Sequence, residues 1–121
     1  GNEVSCGVGM QRIDVMLSLI NGNVRIILPI ELKSIEASTD NVIQIQRYVD
    51  WLEQYYIPNR ISDIQPVLIS KKIIDKGSEN YRKVIDSFKQ FNEKNQQRSM
   101  PIKYVEYELK ENNLKFQEII Y

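Results

Sequence analysis

Two residues of opposite charge stand at the end of an apolar run. In "VRIILPIELKS", Val24 to Ser34, Glu31 and Lys33 are separated only by Leu32. If the run is a strand, its two-residue side-chain period puts both on one face. A third charged residue, Asp14, precedes them across "NGN", Asn21 to Asn23, where Asn and Gly favour a tight hairpin turn. If Gly22 and Asn23 form the turn, Asp14 faces Glu31. If Asn21 and Gly22 form it, Asp14 faces Pro29. Either two-residue turn keeps Asp14, Glu31 and Lys33 on the same face, whereas a one-residue change in the loop reverses the arrangement.

Two carboxylates held close repel by ~1 kcal/mol or more. A divalent cation removes that cost. Oxygen donors suit Mg²⁺, with Mn²⁺ as a substitute, and Mg²⁺ commonly takes one or two carboxylates and keeps several waters. The expected ligands are Asp14, Glu31 and the backbone carbonyl of Leu32. Such an ion acidifies a bound water and offsets charge on a phosphate oxygen. Lys33 could orient or deprotonate the attacking water, or balance charge in the transition state.

Composition narrows the chemistry further. The 121 residues contain no histidine and one cysteine, Cys6. That excludes Ser-His-Asp and Cys-His hydrolysis, His-ligated zinc and an all-cysteine zinc site. An enzyme built from these residues works through carboxylates, lysines and oxygen-bound metal. Lys+Arg and Asp+Glu are both 16, so an anionic partner must be met by a local patch. No apolar run reaches the ~18–20 residues of a membrane helix. The lone cysteine and the missing signal pattern fit an intracellular, cytoplasmic protein. The chain starts with Gly, which reads as part of a longer polypeptide with a further domain.

These residues need a scaffold. Residues 2 to 6 and Arg12 to Ile20 read as strands, and Val24 to Lys33 as the returning strand, with an edge, bulge or bend at Pro29. After the cap candidates Ser38 to Asp40, Val42, Ile45, Val49, Leu52 and Tyr56 form one stripe of an amphipathic helix that Pro58 ends. Ile64 to Ser70 is a nearly all-apolar strand, as in the middle of a sheet. A second helix follows, capped by Ser78, with Tyr81, Val84, Ile85, Phe88 and Phe91 on one face. "IKYVEYELK", "ENN" and "LKFQEIIY" make a terminal hairpin. The expectation is a single α/β domain over residues 1–121, a mixed β-sheet flanked by helices.

The order Asp14, hairpin, Glu31-Leu32-Lys33 and helix resembles the D…(E/D)xK signature of the PD-(D/E)xK nucleases, which have a restriction-endonuclease-like core. "QIQRYVDWL" on the helix resembles the QxxxY element of part of that superfamily, with Gln44 and Tyr48 in the matching positions. Across residues 9 to 70 the run is most similar to the C-terminal nuclease domain of NucS-type DNA endonucleases. The resemblance implies Mg²⁺-dependent hydrolysis of DNA phosphodiesters, with Asp14, Glu31, Lys33 and Gln44 catalytic. Gln44 is preferred to Gln46 because it lies one helical turn before Tyr48. Arg12, Tyr48, Lys71 and Lys72 are candidates to contact nucleic acid. One departure concerns the acidic residue that many members carry on a preceding helix: that helix lies upstream in a longer protein or is absent, and Glu3, on a strand-like segment, is a poor substitute. Two other readings stand beside the nuclease. One is a catalytically inactive DNA-binding module of the same fold. The other is a structural domain that forms a homodimer through Trp51 and Tyr55 or through the C-terminal hairpin edge.

Overall fold

A computed structural model of the chain describes residues 2–3, 15–22, 24–55 and 63–121. Cys6, Arg12, Asp14, Tyr56 and Pro58 lie outside the described residues. The order is β1 (Asn2–Glu3), β2 (Val15–Asn21), β3 (Val24–Glu36), α1 (Thr39–Tyr55), β4 (Val67–Lys71), α2 (Glu79–Lys94), β5 (Lys103–Lys110) and β6 (Asn113–Ile119). The strands form one sheet in sequence order. β3, β4 and β5 are parallel, and the flanking pairs are antiparallel. The class is α/β, as the alternation of strand and helix patterns predicts.

The first hairpin adopts one of the two expected registers. Gly22 takes φ +63°, which glycine accepts without steric cost. Val15 pairs with Ile30 and Asn21 with Val24, the register of a Gly22-Asn23 turn. Pro29 is not at an edge, and the ladder to β2 runs through it without a shift: it stands opposite Met16 inside a central strand. Alternation explains the tolerance. Ile27 turns its carbonyl to the β4 side, where it accepts from the Gln65 N–H at 2.8 Å, so Pro29 also faces that side. There an isolated Ile27–Ile64 bridge precedes the ladder, which begins at Ile30–Val67. The missing N–H thus falls in a gap of the pairing. The irregularity comes later, between Leu32 and Glu36.

Both helices start on side-chain caps. The Asn41 Oδ1 accepts from the Ser38 N–H at 2.8 Å while the Asn41 N–H donates to the Ser38 carbonyl. Ser78 Oγ accepts from the Tyr81 N–H at 3.1 Å. The apolar stripes then dock on one face of the sheet. Val42, Ile45, Val49 and Leu52 of α1 and Val84, Phe88 and Phe91 of α2 cluster with Ile27, Leu68, Ile102 and Tyr104 of the strands. Polar ties fix the two helices against each other. Gln46 and Asn95 exchange amide hydrogen bonds at 2.7 and 3.0 Å. Arg98 bridges Asp50 and Glu53.

At the second hairpin Glu111 and Asn112 both have positive φ, the two-residue turn that "ENN" predicts. Phe88 is wholly buried and its ring meets Tyr104 edge-on at 5.0 Å and Tyr121 at 5.3 Å. It is the contact that locks α2 to β5 and the chain end. Phe88→Ala is therefore expected to lower stability by ~3–5 kcal/mol, read as a shift of the urea midpoint followed by far-UV circular dichroism.

Candidate functional site

Glu31 lies on the helix-covered face and is 1% exposed. Alternation puts it in line with Ile27 and Pro29, both buried under α1, while Leu32 points to the opposite face and is half exposed. From above, Tyr48 of α1 donates its hydroxyl to Glu31 Oε1 at 3.3 Å. Along the strand, Lys33 Nζ stands 3.8 Å from the same oxygen and keeps 36% of its side chain exposed. The carboxylate is thus held inside and the ammonium reaches it from the rim. A charge taken out of water needs such compensation.

Gln44 sits one turn before Tyr48 and is half-buried. Its amide oxygen is buried and has no hydrogen-bond partner among the described residues. Gln46, the reserve, is committed elsewhere, to Asn95 and Asp50. Tyr48, a candidate to contact nucleic acid, is placed inside: 2% exposed, its ring in the core and its hydroxyl on Glu31. Lys71 is not brought to Glu31. Leu68 pairs with Glu31 and shares its face, so Ile69 and Lys71 both lie on the opposite one. Lys72 turns toward Glu108, 3.7 Å away, two strands from Glu31. Arg12 and Asp14 lie outside the described residues.

The structure also shows a buried acid that the sequence reading passed over. Glu106 is 3% exposed. Its carboxylate accepts from the Ile73 N–H at 2.9 Å, the Tyr104 hydroxyl at 2.7 Å and Lys76 Nζ at 2.7 and 2.9 Å. The Lys76 ammonium donates as well to the Ile73 carbonyl and lies 5.2 Å from the Tyr81 ring centre. The signal was present: Glu106 shares the strand face of Ile102 and Tyr104, an acid in an inward-facing position like Glu31. It is held by the loop after β4 and by Tyr104, and its work is to tie that loop to the sheet. The chain also contains a second Glu-Leu-Lys, residues 108–110, next to the turn of the last hairpin, where Lys110 is exposed. The triplet alone does not make a site; burial under a helix distinguishes the first from the second.

Among the described residues no group of three or more His, Cys, Asp or Glu side chains could hold a metal ion. Glu31 supplies the one carboxylate of the expected pair that is described. Its donors are oxygens without sulfur or imidazole, which fits a hard cation such as Mg²⁺. No described helix is long and apolar enough to cross a membrane. Comparison of the chain with known protein families, with characterised proteins and with solved structures finds no significant match.

Burial, and then the hydrogen bond to Glu106, raise the Tyr104 hydroxyl above its ordinary value; burial raises Tyr121 as well. An unfolded tyrosine releases its proton near pH ~10, whereas the folded chain retains it. The stability from these groups is therefore complete below pH ~10 and declines as pH rises beyond it. Urea midpoints measured from pH 8 to 11.5 should fall over the upper part of that range. Tyr104→Phe should make the fall shallower while lowering stability at pH 8 by ~1–3 kcal/mol; an unchanged slope would show that Tyr104 is not the linked group.

Proposed function

We propose that this chain is a metal-dependent phosphodiesterase domain with a restriction-endonuclease-like core, acting on DNA by hydrolysis. The observation that carries the reading is the joint placement of Glu31, Lys33 and Tyr48: a buried carboxylate at the end of a central strand, an ammonium at its rim and a helix hydroxyl fixing its orientation. The hairpin register adds support. Val15 stands opposite Ile30, and a ladder continued by one residue would set Asp14 opposite Glu31.

In this reading Asp14, Glu31 and the Leu32 carbonyl hold Mg²⁺ or Mn²⁺. The bound ion supplies an acidified water and offsets charge on the phosphate oxygens. Lys33 holds the attacking water or balances the charge that gathers on the phosphate. Gln44, whose amide oxygen is not taken up by a described partner, orients that water. Tyr48 acts through Glu31 as a positioning residue, and Arg12 contacts the DNA backbone. A phosphate would approach from the Lys33 side, since Glu31 itself is closed off by α1.

Cleavage of a panel of duplex, branched and single-stranded DNAs with Mg²⁺ or Mn²⁺ tests the reading. Asp14→Ala and Lys33→Ala should abolish metal-dependent cleavage with circular dichroism unchanged. Tyr48→Phe should reduce it ~10–100-fold, the effect usual for a side chain that orients a metal ligand. Full cleavage by both alanine variants would refute the assignment. DNA binding without turnover in the unaltered chain would instead favour an inactive module of the same fold.

A further inference from the structure

The sheet has two faces, and among the described residues both helices cover the same one. Register and alternation assign the other face. On it lie Leu19, Leu32, Leu109, Leu114 and Phe116, which are 48%, 49%, 71%, 54% and 60% exposed. Between them stand the half-buried Leu28, Ile30, Ile69, Val105 and Tyr107. The band runs diagonally from the tip of the β2–β3 hairpin, across the parallel centre of the sheet, to the tip of the β5–β6 hairpin. Tyr107 and Phe116 are cross-strand partners on it, with ring centres 6.5 Å apart.

We infer that this face is covered by a second copy of the chain, packed sheet against sheet. Three observations favour that occupant. The central strands are parallel, and parallel sheets are normally buried on both sides. The band carries five large apolar side chains that are 48–71% exposed, and such a contiguous exposed apolar patch marks an interaction surface. The charges flanking the band are balanced. Glu36 pairs with Lys71 in register on one flank, and Lys103 and Glu118 lie on the other. Among the residues whose side chains are described, each flank carries one acid and one base, so a two-fold related copy brings unlike charges within reach of each other. The same balance disfavours a phosphate backbone or an anionic lipid surface, which would need a basic face. Both Glu31 sites remain on the outer, helix-covered sides, so the inference does not depend on the proposed activity.

Sedimentation equilibrium of the 121-residue chain from 1 to 200 μM tests it. Twice the 14.2 kDa chain mass is expected at the upper concentrations. Phe116→Lys and, separately, Leu19→Lys, at exposed positions on the two ends of the band, should weaken association at least tenfold. Ile43→Lys, on the exposed side of α1, should leave it unchanged. A measurement on the unaltered chain avoids any question of misfolding: equal parts of ¹⁵N-labelled and unlabelled protein are joined with an amine-reactive cross-linker. Mixed-isotope links should form through Lys71 or Lys103. A monomer throughout the range would overturn the inference, as would mixed links confined to the helix lysines Lys83, Lys89 and Lys94, or a dimer disrupted only by Ile43→Lys.

Discussion

A carboxylate sealed under a helix sets the terms for the rest of this molecule. Glu31 is closed to solvent on the α1 side, because the Tyr48 hydroxyl that meets it belongs to a ring in the core. The position of α1 therefore determines where the charge sits, and the packing of Ile45, Val49 and Leu52 determines the position of α1. The Ser38–Asn41 cap fixes where that helix begins, soon after Lys33 leaves the strand. Local chemistry, helix entry and charge placement are successive steps of one constraint.

The sheet distributes its buried acids by the same geometry but uses them differently. The parallel centre sends β3, β4 and β5 the same way, so the ends of Glu31 and Glu106 strands point to one side of the domain. Glu106 is closed by four hydrogen bonds from three donors, Ile73 and Lys76 of the β4–α2 loop and Tyr104. Its desolvation is compensated within the fold, which is the pattern of a structural clamp. Among the described residues the partners of Glu31 include a hydroxyl at 3.3 Å and an ammonium at 3.8 Å that is partly exposed. Lys33 and Lys76 are equally exposed at the rims of their sites, and the two acids differ in what they meet: Glu106 ties a loop to the sheet, whereas Glu31 meets a side chain of α1.

Periodicity made most of the scaffold legible. The stripe on α1, the Ser78 cap, a nearly all-apolar strand after α1 and the presence of both hairpins follow from side-chain spacing and turn chemistry, although β4 begins at Val67 and not at Ile64. The register that relates β2 to β3 did not follow uniquely, because "NGN" permits two two-residue turns; pairing along the whole hairpin selects one. Pro29 was misjudged because a strand proline is costly only where its N–H should donate, and the gap in β3–β4 pairing is invisible without the third strand. Lys71 falls on the face opposite Glu31, which the sequence alone could not fix: proximity to a strand end says nothing about a residue's face until a cross-strand partner sets the alternation. Gln44 was separated from Gln46 by helical phase, and the structure adds a reason of tertiary origin, since Asn95 from α2 occupies Gln46.

The triplet Glu31-Leu32-Lys33 joins the two faces of the domain. Its odd members turn to the helix side and share one oxygen, whereas Leu32 turns to the apolar side and is half exposed. A strand has no means of moving one set without the other, because both hang from the same pleat. The bulge between Leu32 and Glu36 ends the regular β3–β4 ladder just where this happens. Anything that covers Leu32 therefore restrains the backbone that carries Glu31, while the helix that buries Glu31 determines how far Leu32 projects. The apolar residue between two charges is thus more than a spacer: it is the point at which packing on the outer face can act on the geometry of the charged one.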